Sequence, residues 1–525
     1  MNKYNPIKKE WQILFSLIIY LIIGILLINH YQYIINSDGI SYISIAQEYL
    51  NGNFADAVNG YWGPLFSWVL APFLALGSTP LQMLYSTKLL SLIIGFFTII
   101  GIRLLISRFE IEKSTETIIL FSSIPIVLFF SFNLITPDLL VTCILIYYLY
   151  FIFSPQYPNK VLNSVLCGLL GSLAYLSKSY ALFFFLVHFI LFNSIYYFKS
   201  ITKGEKRKIL KNLFLGLIVF FIISGVWIGL ISSKYGELTI GTTGQYNQAL
   251  IGPQSQGQQP LYYQGLLKPS STNAISIWED PSYLKMESWS PFESEEYFKY
   301  QINLILQNIL DILNVIESFS LLSILIIAGS LLFIIRSSSI STSKNKISYL
   351  LITIVLYSAG YSLILVESRY LWFICILLII MGGYLIDLSF KNHMFSNSMK
   401  NILLILLAFS FMITPLTGLA TGYNTEENIY HLGETLKTDY NLHGNIASND
   451  QWELTIYLAY YAEGKYYGQT KENTSYDTLK KELKDNDIDY YIVWGNSKEN
   501  IYLSPKFKEV TNGNIDYLKI YSLKN

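Results

Sequence analysis

The sequence predicts a mainly helical, polytopic membrane protein that ends in a small soluble α/β domain. Three observations carry that expectation. The chain is 52% hydrophobic and only 14% charged, where a soluble globular domain carries roughly 25% charged residues. Apolar runs of membrane-spanning length recur up to residue 420. Beyond residue 424 the composition turns charged and polar, with short strand-like runs.

The apolar runs lie at 11–30, 84–107, 117–135, 139–154, 161–177, 179–198, 211–232, 317–336, 347–366, 370–389 and 401–420. That makes about eleven spans, each near the ~20 residues a bilayer core requires. The first follows Lys3, Lys8 and Lys9 and lacks a small-residue cleavage site, so it reads as an uncleaved anchor. With the N-terminus cytoplasmic, the basic segments 103–113, 199–211, 336–346 and 391–400 all fall inside, as the positive-inside rule asks. The scheme requires 62–77 to stay out of the membrane. That run is short and contains Pro64 and Pro72, which suits a surface or re-entrant helix pair.

Outside then lie 31–83, the turn 136–138, the loop 233–316 and everything after 421. The long loop opens on Gly241-Thr242-Thr243-Gly244 and a Gln/Gly/Pro stretch, and carries Trp278 and Trp289 further on. Residues 1–422 form the transmembrane module. Residues 423–525 form the soluble extracytoplasmic domain, with strands at 490–494 and 518–521 and helices at 452–463 and 476–485.

Composition also excludes. The net charge is zero and no extended basic block invites nucleic acid. Cys143, Cys167 and Cys375 each sit inside an apolar run and read as small buried side chains. The five histidines have no metal-ligand spacing. Neither a phosphate-cradling G-x-x-x-x-G-K-[ST] loop nor a dinucleotide fingerprint is evident.

Ionisable residues at a membrane edge are costly and therefore candidates for function. Four places converge on the outer end: Asp38, Asp138 in Thr136-Pro137-Asp138, Lys178 between two spans, and Glu367-Ser368-Arg369-Tyr370. Each has a plainer explanation. Asp38 could be a solvated loop acid, Asp138 a helix cap, Lys178 a side chain snorkelling to headgroups, and Arg369 a cation neutralised by Glu367. Together they make a coherent set. Two carboxylates can share base and positioning roles or hold a divalent cation, Mg or Mn, while Lys and Arg suit a departing phosphate.

These residues, in this order, resemble the GT-C membrane glycosyltransferases, specifically the bacterial branch similar to protein O-mannosyltransferases and the lipid A aminoarabinose transferase. The similar parts are Asp38-Gly39-Ile40-Ser41-Tyr42 with Gly60-Tyr61-Trp62-Gly63-Pro64-Leu65, then Pro137-Asp138, Leu176-Ser177-Lys178 and Arg369-Tyr370. They span roughly the first 390 residues. The resemblance implies Asp38 as catalytic base and Asp138 as an assisting or metal-holding acid. It implies Lys178 and Arg369, beside Tyr180 and Tyr370, at the phosphate of a polyprenyl-phosphate sugar, and inversion at the anomeric carbon. Tyr42, Trp62, Trp278, Glu279 and Glu367 are the candidates for contacting substrate. The segment Trp278-Glu279-Asp280-Pro281 reads either as an acceptor path or as an exposed turn with an aromatic anchor. One departure leaves the acceptor open among protein, glycolipid and polysaccharide: Trp62-Gly63-Pro64-Leu65 stands where the aminoarabinose transferase pattern has Lys-Pro-Pro-Leu.

The expected function is transfer of a sugar from a polyprenyl-phosphate carrier at the outer face of a bacterial plasma membrane. The alternative is a transporter or flippase of lipid-linked sugars, which would place ionisable residues at mid-membrane. His188 and Lys88 are the residues nearest that description and read as helix-surface or helix-end positions. The enzyme reading requires Asp38 and Asp138 to share one cavity.

Overall fold

A computed structural model describes residues 11–255, 257–336 and 342–524; Lys3, Lys8 and Lys9 of the first flank lie outside them. Helix α1 (Trp11–Tyr31) leads into three short helices, α2 (Ser37–Leu50), α3 (Phe54–Ala57) and α4 (Pro64–Leu74). The bundle continues through α5 (Pro80–Ile106), α6 (Lys113–Asn133), α7 (Asp138–Ile152), α8 (Val161–Ser177), α9 (Tyr180–Lys199) and α10 (Lys203–Tyr235). After the short α11 (Thr243–Leu250) come α12 (Glu295–Phe319), α13 (Ser323–Arg336), α14 (Thr342–Ser362), α15 (Trp372–Lys391) and α16 (Asn397–Thr421). Eight of the described helices are long and apolar enough to cross a membrane.

Helix α4 explains why 62–77 does not count as a span. Its 11 residues reach only ~17 Å at 1.5 Å per residue, well short of a ~30 Å hydrocarbon core. The expected span 317–336 is corrected. It is broken at Ser320, whose hydroxyl accepts the Leu322 N–H at 3.1 Å and starts a new helix. The 14 residues of α13 extend ~21 Å, too little to cross alone. The middle of α12 lies beside the end of α14, where the Asn308 amide donates to the Ser362 and Ile364 carbonyls at 3.0 and 3.1 Å. The helix finishes against the middle of α16, where the Thr414 hydroxyl donates to the Ser318 carbonyl at 2.7 Å. The two helices thus descend in tandem. Polar residues such as Gln301, Asn303, Gln307 and Asp311 make α12 the least apolar of those eight helices.

The chain closes with α17 (Glu427–Thr438), β1 (Asn445–Ser448), α18 (Trp452–Tyr461), β2 (Lys465–Gln469), α19 (Tyr476–Asp485), β3 (Tyr490–Trp494), α20 (Lys498–Leu503), β4 (Lys508–Glu509) and β5 (Leu518–Ser522). The sheet order is β2-β1-β3-β5-β4. β1 is parallel to β2 and β3, while β5 is antiparallel to β3 and β4. The exposed edge of β2 is covered by the long loop: the Leu267 N–H donates to the Tyr467 carbonyl at 2.6 Å, and the Tyr466 N–H to the Ile275 carbonyl at 2.7 Å. This α/β unit also ties to the bundle, through the Tyr460 hydroxyl on the Pro80 carbonyl at 2.8 Å and the Ile35 N–H on Glu426 at 2.6 Å. The turns after α1, α6, α8 and α14 therefore gather at the end that carries the sheet. The turns after α5, α7, α9 and α15 gather at the far end, with most of the loop lysines and arginines.

Two residues read as helix-surface or helix-end positions are instead fully buried. Lys88 donates to the Phe132 carbonyl at 2.8 Å. His188 bridges the Tyr148 hydroxyl at 2.7 Å and the Thr353 hydroxyl at 2.9 Å. Each polar group has a partner, which is what keeps its burial tolerable.

Candidate active site

Two helix starts supply the acids. Asp38 is the second residue of α2 and Asp138 the first of α7, where the positive ends of helix dipoles favour a carboxylate. Neither α2 nor α7 has a side-chain cap hydrogen bond, so Asp138 is not serving as the helix cap it could have been. Its Oδ1 instead meets Lys178 Nζ at 2.7 Å. Lys178 sits in the turn between α8 and α9 and points inward, over the Tyr370 ring at 3.4 Å from the centroid.

Arg369 joins everything. Its Nη1 donates to Asp38 Oδ2 at 2.7 Å, and its Nε lies 2.7 Å from Glu367 Oε2 and 4.0 Å from Asp138 Oδ2. One guanidinium thus ties both acids into a single cluster with Lys178. Asp38 and Asp138 are 9% and 6% exposed. Burying charges this deeply is sustained only by such pairing.

The other oxygen of Asp38 belongs to the long loop. Trp278 Nε1 donates to Asp38 Oδ1 at 3.0 Å, and the Trp278 carbonyl accepts from the Ser41 hydroxyl at 3.2 Å and from Trp62 Nε1 at 3.1 Å. Trp278 is buried, so the exposed-turn alternative for this segment is corrected. Tyr42 packs edge-on to Trp62 and Phe66 at 5.1 and 5.2 Å. Close approach makes this assembly possible: a Cβ on Gly63 would stand 2.4 and 2.6 Å from the Ser177 and Leu176 carbonyls, directly before Lys178.

The cluster lines a cavity of about 1250 Å³ in which Asp38, Asp138, Lys178 and Arg369 all take part, together with Tyr42, Trp62, Tyr180, Trp278, Glu367 and Tyr370. One flank is an apolar groove between α9 (Phe183, Phe184, Val187) and α14 (Leu356, Ala359, Gly360), with Leu363 just past the end of α14. Phe183 and Val187 are largely exposed, so the groove opens on the lipid-facing side of the bundle. Tyr180 stacks on Tyr361 with centroids 3.9 Å apart and commits its hydroxyl to the Tyr357 carbonyl at 2.5 Å. It therefore offers a ring, not a donor, to whatever fills the groove.

Glu279 is set apart. It is buried but off the cavity wall, its Oε1 accepting the Ile275 N–H at 2.5 Å while Asn59 bonds its carbonyl. Burial pushes its carboxyl up to about 8. Its role in the structure is to brace the loop that delivers Trp278. As for a divalent cation, the cavity offers Asp38 and Asp138, each already held by a cationic side chain. Among the described residues no group of three His, Cys, Asp or Glu side chains could hold a metal ion. That donor set does not fit a divalent cation, and no step is routed through one. Among the cavity residues that sequence reasoning missed are Trp452, Glu453 and Tyr457 of α18. Nothing in their local composition separates them from an ordinary amphipathic helix.

No family profile and no curated protein sequence matches the chain. Solved structures do. ArnT from Cupriavidus metallidurans bound to undecaprenyl phosphate superposes with a TM-score of 0.57 at 12% identity, over 98% of this chain and 98% of that one. The apo state of the same protein gives 0.54 at 12% identity, over 96% and 97%. The apo oligosaccharyltransferase of Archaeoglobus fulgidus gives 0.50 at 11% identity, over 93% of this chain and 70% of that one. Likeness at such identities carries the architecture, helical bundle and terminal α/β unit alike. The chain shares the fold of these solved structures, a polytopic helical bundle closed by a terminal α/β unit.

Proposed function

We propose that this protein is a glycosyltransferase that moves a sugar from a polyprenyl-phosphate carrier to a hydroxyl-bearing acceptor, with Asp38 as general base. The observation that carries the reading is a single cavity holding two carboxylates and two cations at the mouth of an apolar groove. The groove between α9 and α14 suits a polyprenyl tail, and undecaprenyl phosphate is the ligand of the ArnT structure with the same fold.

In the proposed step the Asp38 carboxylate takes the proton from the acceptor hydroxyl. The acceptor oxygen bonds to the anomeric carbon as the bond from that carbon to the phosphate oxygen breaks. The electron pair leaves with the phosphate, which becomes a monoester bearing one more negative charge. Lys178 and Arg369 lie where that charge develops, and fixed cations in a water-poor site stabilise it strongly. Asp138 holds Lys178 in place. Attack opposite to the leaving group inverts the anomeric centre. The cavity and the α/β unit belong on the extracytoplasmic side of the plasma membrane, with the Lys/Arg-rich far end inside.

A transporter would need ionisable groups free to act at mid-bundle. His188, buried at mid-bundle, and Lys88, buried beside the end of α6, are both hydrogen-bonded into the packing, which supports the enzyme reading. The test is release of carrier phosphate from a panel of polyprenyl-phosphate sugars by the purified protein. Asp38→Asn should abolish release while donor binding persists; substantial retained turnover would sink the assignment.

A further inference from the structure

The wall contributed by α18 belongs to the α/β unit, and it differs from the rest of the cavity. Trp452 is 4% exposed and its indole N–H has no partner among the described residues, an arrangement that is costly unless something supplies an acceptor. Its ring meets Trp278 at 6.2 Å and Tyr262 at 5.7 Å, both edge-on, so three aromatic rings form one corner. Beside it stands Glu453, exposed on the cavity wall, with neither a hydrogen bond nor an ion pair among the described residues. Its pKa is raised by partial burial and by the charge of Asp38.

Asp38 gives this corner a direction. Its Oδ2 faces Arg369, on the phosphate side. Its Oδ1 faces Trp278, and behind Trp278 lies Trp452. An acceptor hydroxyl that surrenders its proton to Asp38 must come from the side away from the leaving phosphate, which is the Trp278–Trp452 side. Charge then narrows the acceptor class. Among the described residues the cavity is lined by four acids, Asp38, Asp138, Glu367 and Glu453, against two bases, and both bases stand on the phosphate side. None of the described lining residues puts a cation on the α18 side to receive a second phosphate or a carboxylate.

We propose that Trp452 and Glu453 of the α/β unit form the acceptor subsite, and that it takes an uncharged, hydroxyl-rich carbohydrate group rather than an anionic one. The aromatic corner provides apolar faces against which a sugar ring packs. The Trp452 N–H donates to a sugar oxygen, and the Glu453 carboxylate accepts from sugar hydroxyls. This rests on Asp38 being the base, since that fixes which side the acceptor enters.

The test is saccharide binding by saturation-transfer NMR to the full-length protein in nanodiscs, with undecaprenyl phosphate in excess to occupy the Lys178–Arg369 side, maltose, lactose and chitobiose as neutral probes and glucose 1-phosphate as the anionic one. The neutral sugars should bind the wild type, and glucose 1-phosphate should bind more weakly. Trp452→Ala should weaken neutral binding ~10-fold or more, as loss of a central aromatic anchor does. Trp452→Phe keeps a ring but no N–H, and should lose ~5-fold, the worth of one hydrogen bond. Glu453→Lys should shift preference towards glucose 1-phosphate. The subsite is overturned if no neutral sugar binds the wild type, or if glucose 1-phosphate binds as well as maltose. It is equally overturned if Trp452→Phe and Glu453→Lys, with melting temperatures unchanged, bind like the wild type. Turnover retained in Asp38→Asn sinks the base assignment and leaves the binding readout standing. Binding indifferent to Trp452 sinks the subsite and leaves Asp38 untouched.

Discussion

The two ends of the bundle each hold a buried ionic cluster built from the same residue types. At the far end, Lys400 pairs with Glu112 and with Asp387 at 2.9 Å, and Asp387 also accepts the Glu112 N–H at 2.6 Å and the Thr115 hydroxyl at 2.5 Å. Lys400 and Asp387 side chains are 2% and 1% exposed. Both oxygens of Asp387 are engaged within the protein, and α6, α15 and α16 are riveted together. At the other end the ion pairs are just as short, yet they line a cavity of about 1250 Å³. The same chemistry fastens helices when closed on itself and can act on a substrate when one side is left open. Burial and pairing alone do not tell the two apart; what the cluster faces does.

That contrast can be broken by experiment. The largest effect on turnover should come from Asp38→Asn, a loss of ~10²–10⁴-fold, the usual contribution of a general base, with the melting temperature little changed. Arg369→Ala should cost ~10²–10³-fold in kcat, in line with removal of one group that stabilises transition-state charge. Arg369→Lys should recover only part, because a point charge cannot reach Asp38 and Glu367 at once. Lys400→Ala should do the reverse. Breaking a buried pair costs ~3–5 kcal/mol of stability, seen as a lower melting temperature, while turnover per folded molecule stays intact. If Asp38→Asn lowered the melting temperature as Lys400→Ala does and spared turnover, the two clusters would be of one kind.

The smallest effect is expected at Glu279, beside the site but turned from the cavity. Its folded pKa, about 8, is raised from the ordinary 4.5, so the folded state holds a proton that the unfolded chain releases. That stabilisation is fully present below about 4.5 and is lost as pH rises through about 8. Thermal unfolding of the wild type should therefore show a stability decline over that window. Glu279→Gln should flatten it, with turnover changing only modestly.

Much of the architecture was legible because hydropathy reports what faces lipid. The runs that became α1, α5 and α15 are dominated by apolar residues, and α18, α19 and β3 follow their local patterns closely. The pair α12–α13 was only partly legible, because polar residues interrupt α12 and the break at Ser320 that starts α13 is made by a side-chain hydrogen bond. The four central ions could be named because charges at span ends are scarce. Their geometry could not, since Arg369 lies more than three hundred residues from Asp38 and only folding joins them. Trp278 was ambiguous and Glu279 deceptive: neighbours in sequence, one reaches Asp38 and the other turns towards α2's flank. Trp452 was invisible, because an orphan N–H is a property of packing and not of composition.

The sharing of Arg369 has a consequence for the order of events. On the proposed mechanism, the guanidinium that holds Asp38 is also the group that receives the donor phosphate. An arriving phosphate would then compete with Asp38 for it, and the carboxylate would become a freer base only once the carrier is seated. The proposed site would thus be an interlock, in which the proton acceptor is switched on by the cargo. Kinetics should be ordered, donor before acceptor, and a dead-end carrier analogue should tighten rather than block acceptor binding.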